Sequence, residues 1–166
     1  MRHIDTEMLV KKVYGHKKIT KALSVCDFVI TIFTVIVFAC EVVYFAKESF
    51  DLLLGCLVTL GAPFVIVTLL RKVIKAPRPY EVYDFFDAPP SDKKGNSFPS
   101  RHSVSVFAIS TLCLFASVPV GIFALALGVI LGFCRVALGY HFVRDVVSGG
   151  LIGIICSLIG GFILIL

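Results

Sequence analysis

Residues 52–70 and 146–166 contain no charged side chain at all. A helix rises about 1.5 Å per residue, so about 20 apolar residues cross the roughly 30 Å hydrocarbon core of a bilayer. Each stretch supplies one such crossing. Hydrophobic residues make up 58% of the chain and charged residues 16%. The mean hydropathy is +0.96, beyond the range of ordinary soluble domains. Residues 103–134 are also free of charge, but as one helix they would run to roughly 48 Å. Pro119 and Gly121 interrupt them, which predicts two spans joined by a tight turn. Residues 28–46 form a further apolar stretch whose Glu41 is placed near a helix end or against other helices, not lipid. The expected fold class is therefore all-α, an integral membrane bundle of about five transmembrane helices.

Polar segments divide the chain unevenly. Residues 1–23 are basic, with Arg2, Lys11, Lys12, Lys17, Lys18 and Lys21, and read either as a topology determinant or as an interfacial helix on an anionic surface. They show no signal-peptide pattern. Residues 24–166 read as a single membrane-embedded domain whose one long polar excursion, 71–100, is rich in Pro, Asp, Lys and Gly. Only a minimal connection, 47–51, separates the first two spans. Gly149, Gly150, Gly153, Gly160 and Gly161 stud the last span; small residues allow close helix packing and place it at the bundle centre. The six cysteines lie in or beside apolar segments without metal-ligand spacing, so neither disulfides nor a metal are expected. The net charge of +5 is spread over short loops beside spans, which favours anionic lipid over nucleic acid as partner.

Three polar groups carry chemistry. Arg71, Lys72, Lys75 and Arg78 follow the second span. Lysines there serve as headgroup anchors, whereas Pro77 and Pro79 fix the backbone around Arg78, whose guanidinium suits phosphate oxygens. Ser100 is placed as a helix N-cap, with Arg101 and His102 in the first turn, where free N–H groups favour an anion. His102 is then either a proton donor or a plain interfacial histidine. His141 and Asp145 are four apart, so on one helix they share a face and the carboxylate can orient the ring as a nucleophile. The alternative is an ion pair of Asp145 with Arg144 or Arg135. Five spans bring the 71–101 segment and the 135–145 turn to one membrane face. Phosphoryl transfer uses such a set: cations, an in-line nucleophile and an acid.

These segments resemble the type 2 phosphatidic acid phosphatase superfamily, whose motifs read KxxxxxxRP, PSGH and SRxxxxxHxxxD. Here they stand as Arg71 with Arg78-Pro79, Pro99-Ser100-Arg101-His102, and Cys134-Arg135 with His141 and Asp145. The resemblance implies a lipid phosphate phosphatase needing no metal or other cofactor. It implies that His141 attacks phosphorus to give a phosphohistidine, Asp145 orients it, and His102 protonates the leaving group. Arg71, Arg78, Ser100, Arg101 and Arg135 would hold the phosphate. Three positions depart from the pattern: Arg71 for lysine, Arg101 for glycine and Cys134 for serine. Arg101 adds a cation that would suit a diphosphate or point into headgroups.

The basic residues other than Lys47 share the face of the motif loops, which the positive-inside rule puts in the cytoplasm. The resemblance implies the opposite side. The implied substrate is a phosphorylated amphiphile such as phosphatidic acid, phosphatidylglycerophosphate or an isoprenyl diphosphate. The competing class is a non-catalytic lipid-phosphate binding or transport protein that retains the fold.

Overall fold

The computed structural model describes residues 3–83 and 95–165; the remainder of the polar excursion, 84–94, lies outside the described residues. The described chain forms seven helices and no strand: α1 (His3–Tyr14), α2 (Lys17–Glu48), α3 (Phe50–Ile74), α4 (Pro79–Val82), α5 (Arg101–Ala116), α6 (Val118–Ala137) and α7 (Val143–Ile165). Four of them, α2, α3, α6 and α7, are long and apolar enough to cross a bilayer, and α5 is a shorter apolar helix. The protein is a multi-pass integral membrane protein. Large apolar side chains such as Val29, Leu69, Phe133 and Ile155 point outward, more than half exposed, as a lipid-facing belt requires.

The expected bundle of about five helices is met by these four spans together with the shorter α5. Its 16 residues rise only about 24 Å. It packs against α2, α3, α6 and α7, so protein rather than lipid surrounds it and its length need not match the bilayer. That arrangement also moves the centre of the bundle from α7 to α5. The glycine face of α7 does pack closely, mostly onto α5, with Gly160 against Thr59 of α3. A Cβ at Gly149 would stand 2.5 Å from the Ser100 carbonyl oxygen, and one at Gly153 2.5 Å from that of Val104. The two backbones touch, which fixes the start of α5 beside the start of α7.

Helix boundaries follow local chemistry. Only Ser49 separates α2 from α3, and its hydroxyl accepts from the Leu52 N–H at 3.1 Å. The break in 103–134 falls at Ser117, leaving Pro119 in the first turn of α6, where a missing N–H costs nothing. Gly121 lets α6 approach α5, since a Cβ there would be 2.8 Å from the Leu114 nitrogen. On α2, Asp27, Ile30, Thr34, Val37, Glu41 and Phe45 are all buried at three- and four-residue spacing, one inward stripe. Glu41 thus faces other helices, and Asp27 shares that face. α1 lies against the end of α6: Val10 packs on Gly139, and the Tyr14 hydroxyl donates to the Leu138 carbonyl at 3.2 Å.

Candidate active site

Arg71, in the last turn of α3, is 5% exposed. Its Nη1 donates to the Pro99 carbonyl at 2.7 Å and to the Ser97 carbonyl at 3.4 Å. One edge of this guanidinium therefore holds the backbone ahead of α5, a task its planar fork suits better than an ammonium would. Helix α3 runs on to Ile74, so the excursion begins at Lys75, later than the sequence suggests. Arg78 caps α4, whose first residue is Pro79, and its Nε donates to the Gly95 carbonyl at 3.3 Å. The Gly95 N–H in turn donates to Glu81 Oε1 at 2.6 Å. Gly95 has φ +66°, a left-handed conformation that favours glycine.

Ser100 caps α5 as expected, its hydroxyl accepting from the Ser103 N–H at 3.4 Å. The N–H groups of Arg101 and His102 fall in the first turn, where a helix offers them no acceptor. His102 is exposed to the site and close enough to feel the charges of Arg135, His141, Arg101 and Arg71.

After α6 the chain turns back through Gly139 at φ +69°, and the N–H groups of Tyr140 and His141 both donate to the Arg135 carbonyl. This turn delivers His141 ahead of α7, not on it. The expected helical pairing of His141 with Asp145 is therefore corrected: the two meet across the α7 N-terminus. His141 is 2% exposed and Asp145 0%. The His141 Nδ1 stands 3.7 Å from Asp145 Oδ2, too far for a direct hydrogen bond, but 3.3 Å from the Ser97 hydroxyl. That hydroxyl donates to Asp145 Oδ2, which also accepts from the Phe142 N–H at 3.0 Å. The satisfied arrangement is a relay from His141 Nδ1–H to Ser97 to Asp145. It assigns the tautomer and leaves Nε2 with a free lone pair on the opposite side of the ring. Burial pushes the His141 pKa below its ordinary value, opposed by its interaction with Asp145, so the ring is neutral at neutral pH.

Arg135 closes the site from α6. Its Nε is 2.7 Å from Asp27 Oδ1 and its guanidinium lies 5.5 Å from the Tyr140 ring centroid. Asp145 does have a neighbour in Arg144, whose Nε is 3.5 Å from Oδ1, but Arg144 is largely exposed. The structure thus gathers His141, Asp145, His102, Ser100, Arg71, Arg78 and Arg135 at one end of the bundle. It adds two residues that motif spacing misses. Ser97 sits just upstream of the second motif, and Asp27 could have been found from the inward stripe of α2.

Below His102, between α2, α3, α5 and α6, a cavity of about 670 Å³ extends toward the apolar interior. Phe38, Leu57, Leu60 and Phe64 form its walls, and Arg101 and His102 stand at its polar end. The Arg101 guanidinium lies 5.9 Å from the ring centroid of Phe64, another lining residue.

Comparison with known proteins gives concordant findings. The sequence profile of the PAP2 superfamily matches residues 51–161. Undecaprenyl-diphosphatase BcrC of Bacillus subtilis (strain 168) is 32% identical over 94 residues, which cover 57% of this chain and 48% of that protein. The chain thus spans about half the length of the curated relative that it matches. Among solved structures, a transmembrane PAP2-type phosphatidylglycerolphosphate phosphatase from Bacillus subtilis superposes with a TM-score of 0.70 at 24% identity, covering 96% of this chain and 84% of that one. LpxE of Aquifex aeolicus gives 0.70 at 22% identity, with 87% and 86% covered. At these identities the two structures speak to the fold.

Proposed function

The chain belongs to the PAP2 superfamily, and we propose that it is a metal-independent membrane phosphatase that hydrolyses the phosphate of a lipid through a phosphohistidine. The observation that carries this reading is the relay that presents His141 Nε2, backed by Ser97 and Asp145, toward a space lined with cationic groups. In the reaction, Nε2 attacks phosphorus and an N–P bond forms while the bond to the leaving oxygen breaks. His102 donates its proton to that oxygen, then takes one from the water that cleaves the N–P bond. Asp145, through Ser97, balances the charge that the His141 ring gains. Arg78 and Arg135, with the free N–H groups at the start of α5, hold the phosphate oxygens where charge spreads. Arg71, with the Ser97 and Pro99 carbonyls already on Nη1, serves the phosphate through its remaining donors and by keeping the α5 start in place. The arginines supply the neutralisation that a metal supplies in other phosphoryl transfers.

Two features support a lipid substrate. The site lies at the end of the helical bundle, where a headgroup would stand, and the apolar cavity below His102 offers room for a lipid chain beside it. The names of the similar proteins specify undecaprenyl diphosphate and phosphatidylglycerol phosphate as substrates of those relatives. The test is phosphate release by the purified protein from such lipids, with and without a chelator, alongside His141→Ala. Turnover that survives the chelator and vanishes in the variant is the expected result. Turnover unchanged in the variant would overturn the nucleophile assignment, and loss with chelator would overturn metal independence. Binding without turnover would leave the non-catalytic alternative.

A further inference from the structure

We propose that Arg101 forms a second anion subsite on the leaving-group side of His102, which selects a lipid diphosphate over the monophosphate of the same lipid. The proposal rests on the phosphatase reading above and specifies its substrate class. Arg101 replaces the glycine common in the family motif, so the chain has placed its longest cationic side chain where the motif has none. It stands near Arg71 and His102 but makes none of the hydrogen bonds that hold Arg71 and Arg78 to the backbone. Its guanidinium lies over the ring of Phe64, and both residues line the cavity. Arg135 has Asp27 and Arg144 has Asp145, whereas no carboxylate stands within ion-pair distance of Arg101 among the described residues. A cation at the end of an apolar cavity, with a ring face and a second cation, Arg71, beside it and no carboxylate, has room for an anion arriving with the substrate.

The chemistry of the two substrates differs where Arg101 stands. When His141 Nε2 attacks a lipid monophosphate, the breaking P–O bond leaves its electron pair on an alkoxide, which needs the His102 proton. With a diphosphate the attack falls on the terminal phosphorus, and the bond to the bridging oxygen breaks. The leaving group is then a lipid monophosphate that gains one negative charge. Its oxygens lie one P–O linkage further toward the lipid, on the side of the cavity that Arg101 lines. A planar guanidinium can meet them with two parallel hydrogen bonds.

The experiment uses the full chain in detergent with farnesyl diphosphate and farnesyl monophosphate, and compares wild type, Arg101→Gln and Arg101→Lys. The expected result is a ratio of kcat/KM, diphosphate over monophosphate, that falls by about 10–100-fold in Arg101→Gln, the range for a charge-assisted hydrogen bond. Arg101→Lys should fall in between, because it keeps the charge and loses the fork. A ratio unchanged within threefold, or equal loss on both substrates, would overturn the subsite. Binding of the corresponding non-hydrolysable phosphonates separates the subsite from turnover. A preference for the diphosphonate that Arg101→Gln abolishes supports the subsite even if neither substrate is hydrolysed, which would sink only the phosphatase reading. Equal affinity of wild type for both phosphonates would overturn the subsite whatever the turnover.

Discussion

Asp27→Asn probes a contact that none of the family motifs contains. The Asp27 carboxylate meets Arg135 Nε at 2.7 Å, with 12% and 14% of the two side chains exposed. Removing one partner from a fully buried ion pair costs about 3–5 kcal/mol, against about 0–1 kcal/mol at an exposed one. The residual exposure puts this pair at the lower end of the buried range, about 3 kcal/mol. Asp27→Asn and Arg135→Gln should each destabilise the protein by that order in denaturant titrations in detergent. The double variant should be more stable than either single one, because no uncompensated charge remains. Catalysis gives an independent reading. In Asp27→Asn the guanidinium keeps its charge and loses its anchor, so phosphate is still attracted while its alignment suffers. The expected signature is a kcat about 10–100-fold lower with KM unchanged or reduced, a loss of about 1.4–2.7 kcal/mol in the transition state. Arg135→Gln and the double variant should be equally impaired. A denaturation midpoint equal to wild type together with kcat within threefold would refute the idea that Asp27 positions Arg135.

Ser97→Ala removes the group that bridges His141 and Asp145 and leaves the buried Nδ1–H without its acceptor. The cost is about 1–3 kcal/mol, read as a kcat about 5–150-fold lower at unchanged KM; full activity would show that Asp145 acts on the ring directly. Burial holds the His141 pKa below its usual range, and the proposed nucleophile is the neutral ring. The acid limb of the kcat profile should therefore fall below about pH 6.5, and a midpoint above that value would contradict the buried neutral imidazole. The same depression means that the contribution of His141 to stability is present above about pH 6.5 and is lost as pH falls toward its folded value. Gly153→Ala places a Cβ 2.5 Å from the Val104 oxygen and 2.9 Å from the Ala108 nitrogen. It should cost about 1–3 kcal/mol by overpacking. Gly61→Ala on α3 has nothing within 4 Å of its Cβ and should be neutral or stabilising by up to about 1 kcal/mol. Equal denaturation midpoints for the two would refute the backbone contact between α5 and α7.

What was legible in the chain was whatever local chemistry decides. Apolar run length sets where helices cross, so α2, α3 and α7 fall close to the expected stretches; the Ser100 cap and the Ser49 hairpin are decided within three residues of themselves. Features that depend on enclosure were not legible. Nothing in residues 103–116 announces that four helices surround them, so neither the shortness of α5 nor its place at the centre of the bundle could be read there. Asp27 stands alone at the start of an apolar run, where a carboxylate ordinarily marks a helix end; its partner comes from α6, and only the spacing to Ile30, Thr34 and Glu41 betrays an inward face. Arg71 shows the same dependence from the other side. Motif spacing casts it as a phosphate ligand, but a planar fork has donors on more than one edge, and the carbonyls of Ser97 and Pro99 take one of them. Those two carbonyls flank the segment that carries Ser97 to His141 and Ser100 to the head of α5. The lysine-to-arginine departure in the first motif therefore has a structural role that an ammonium could fill only in part. Arg71→Lys should loosen the relay and the α5 start together, lowering kcat for every substrate alike. An effect confined to one substrate, which is the pattern expected at Arg101, would refute that division of labour between the two arginines.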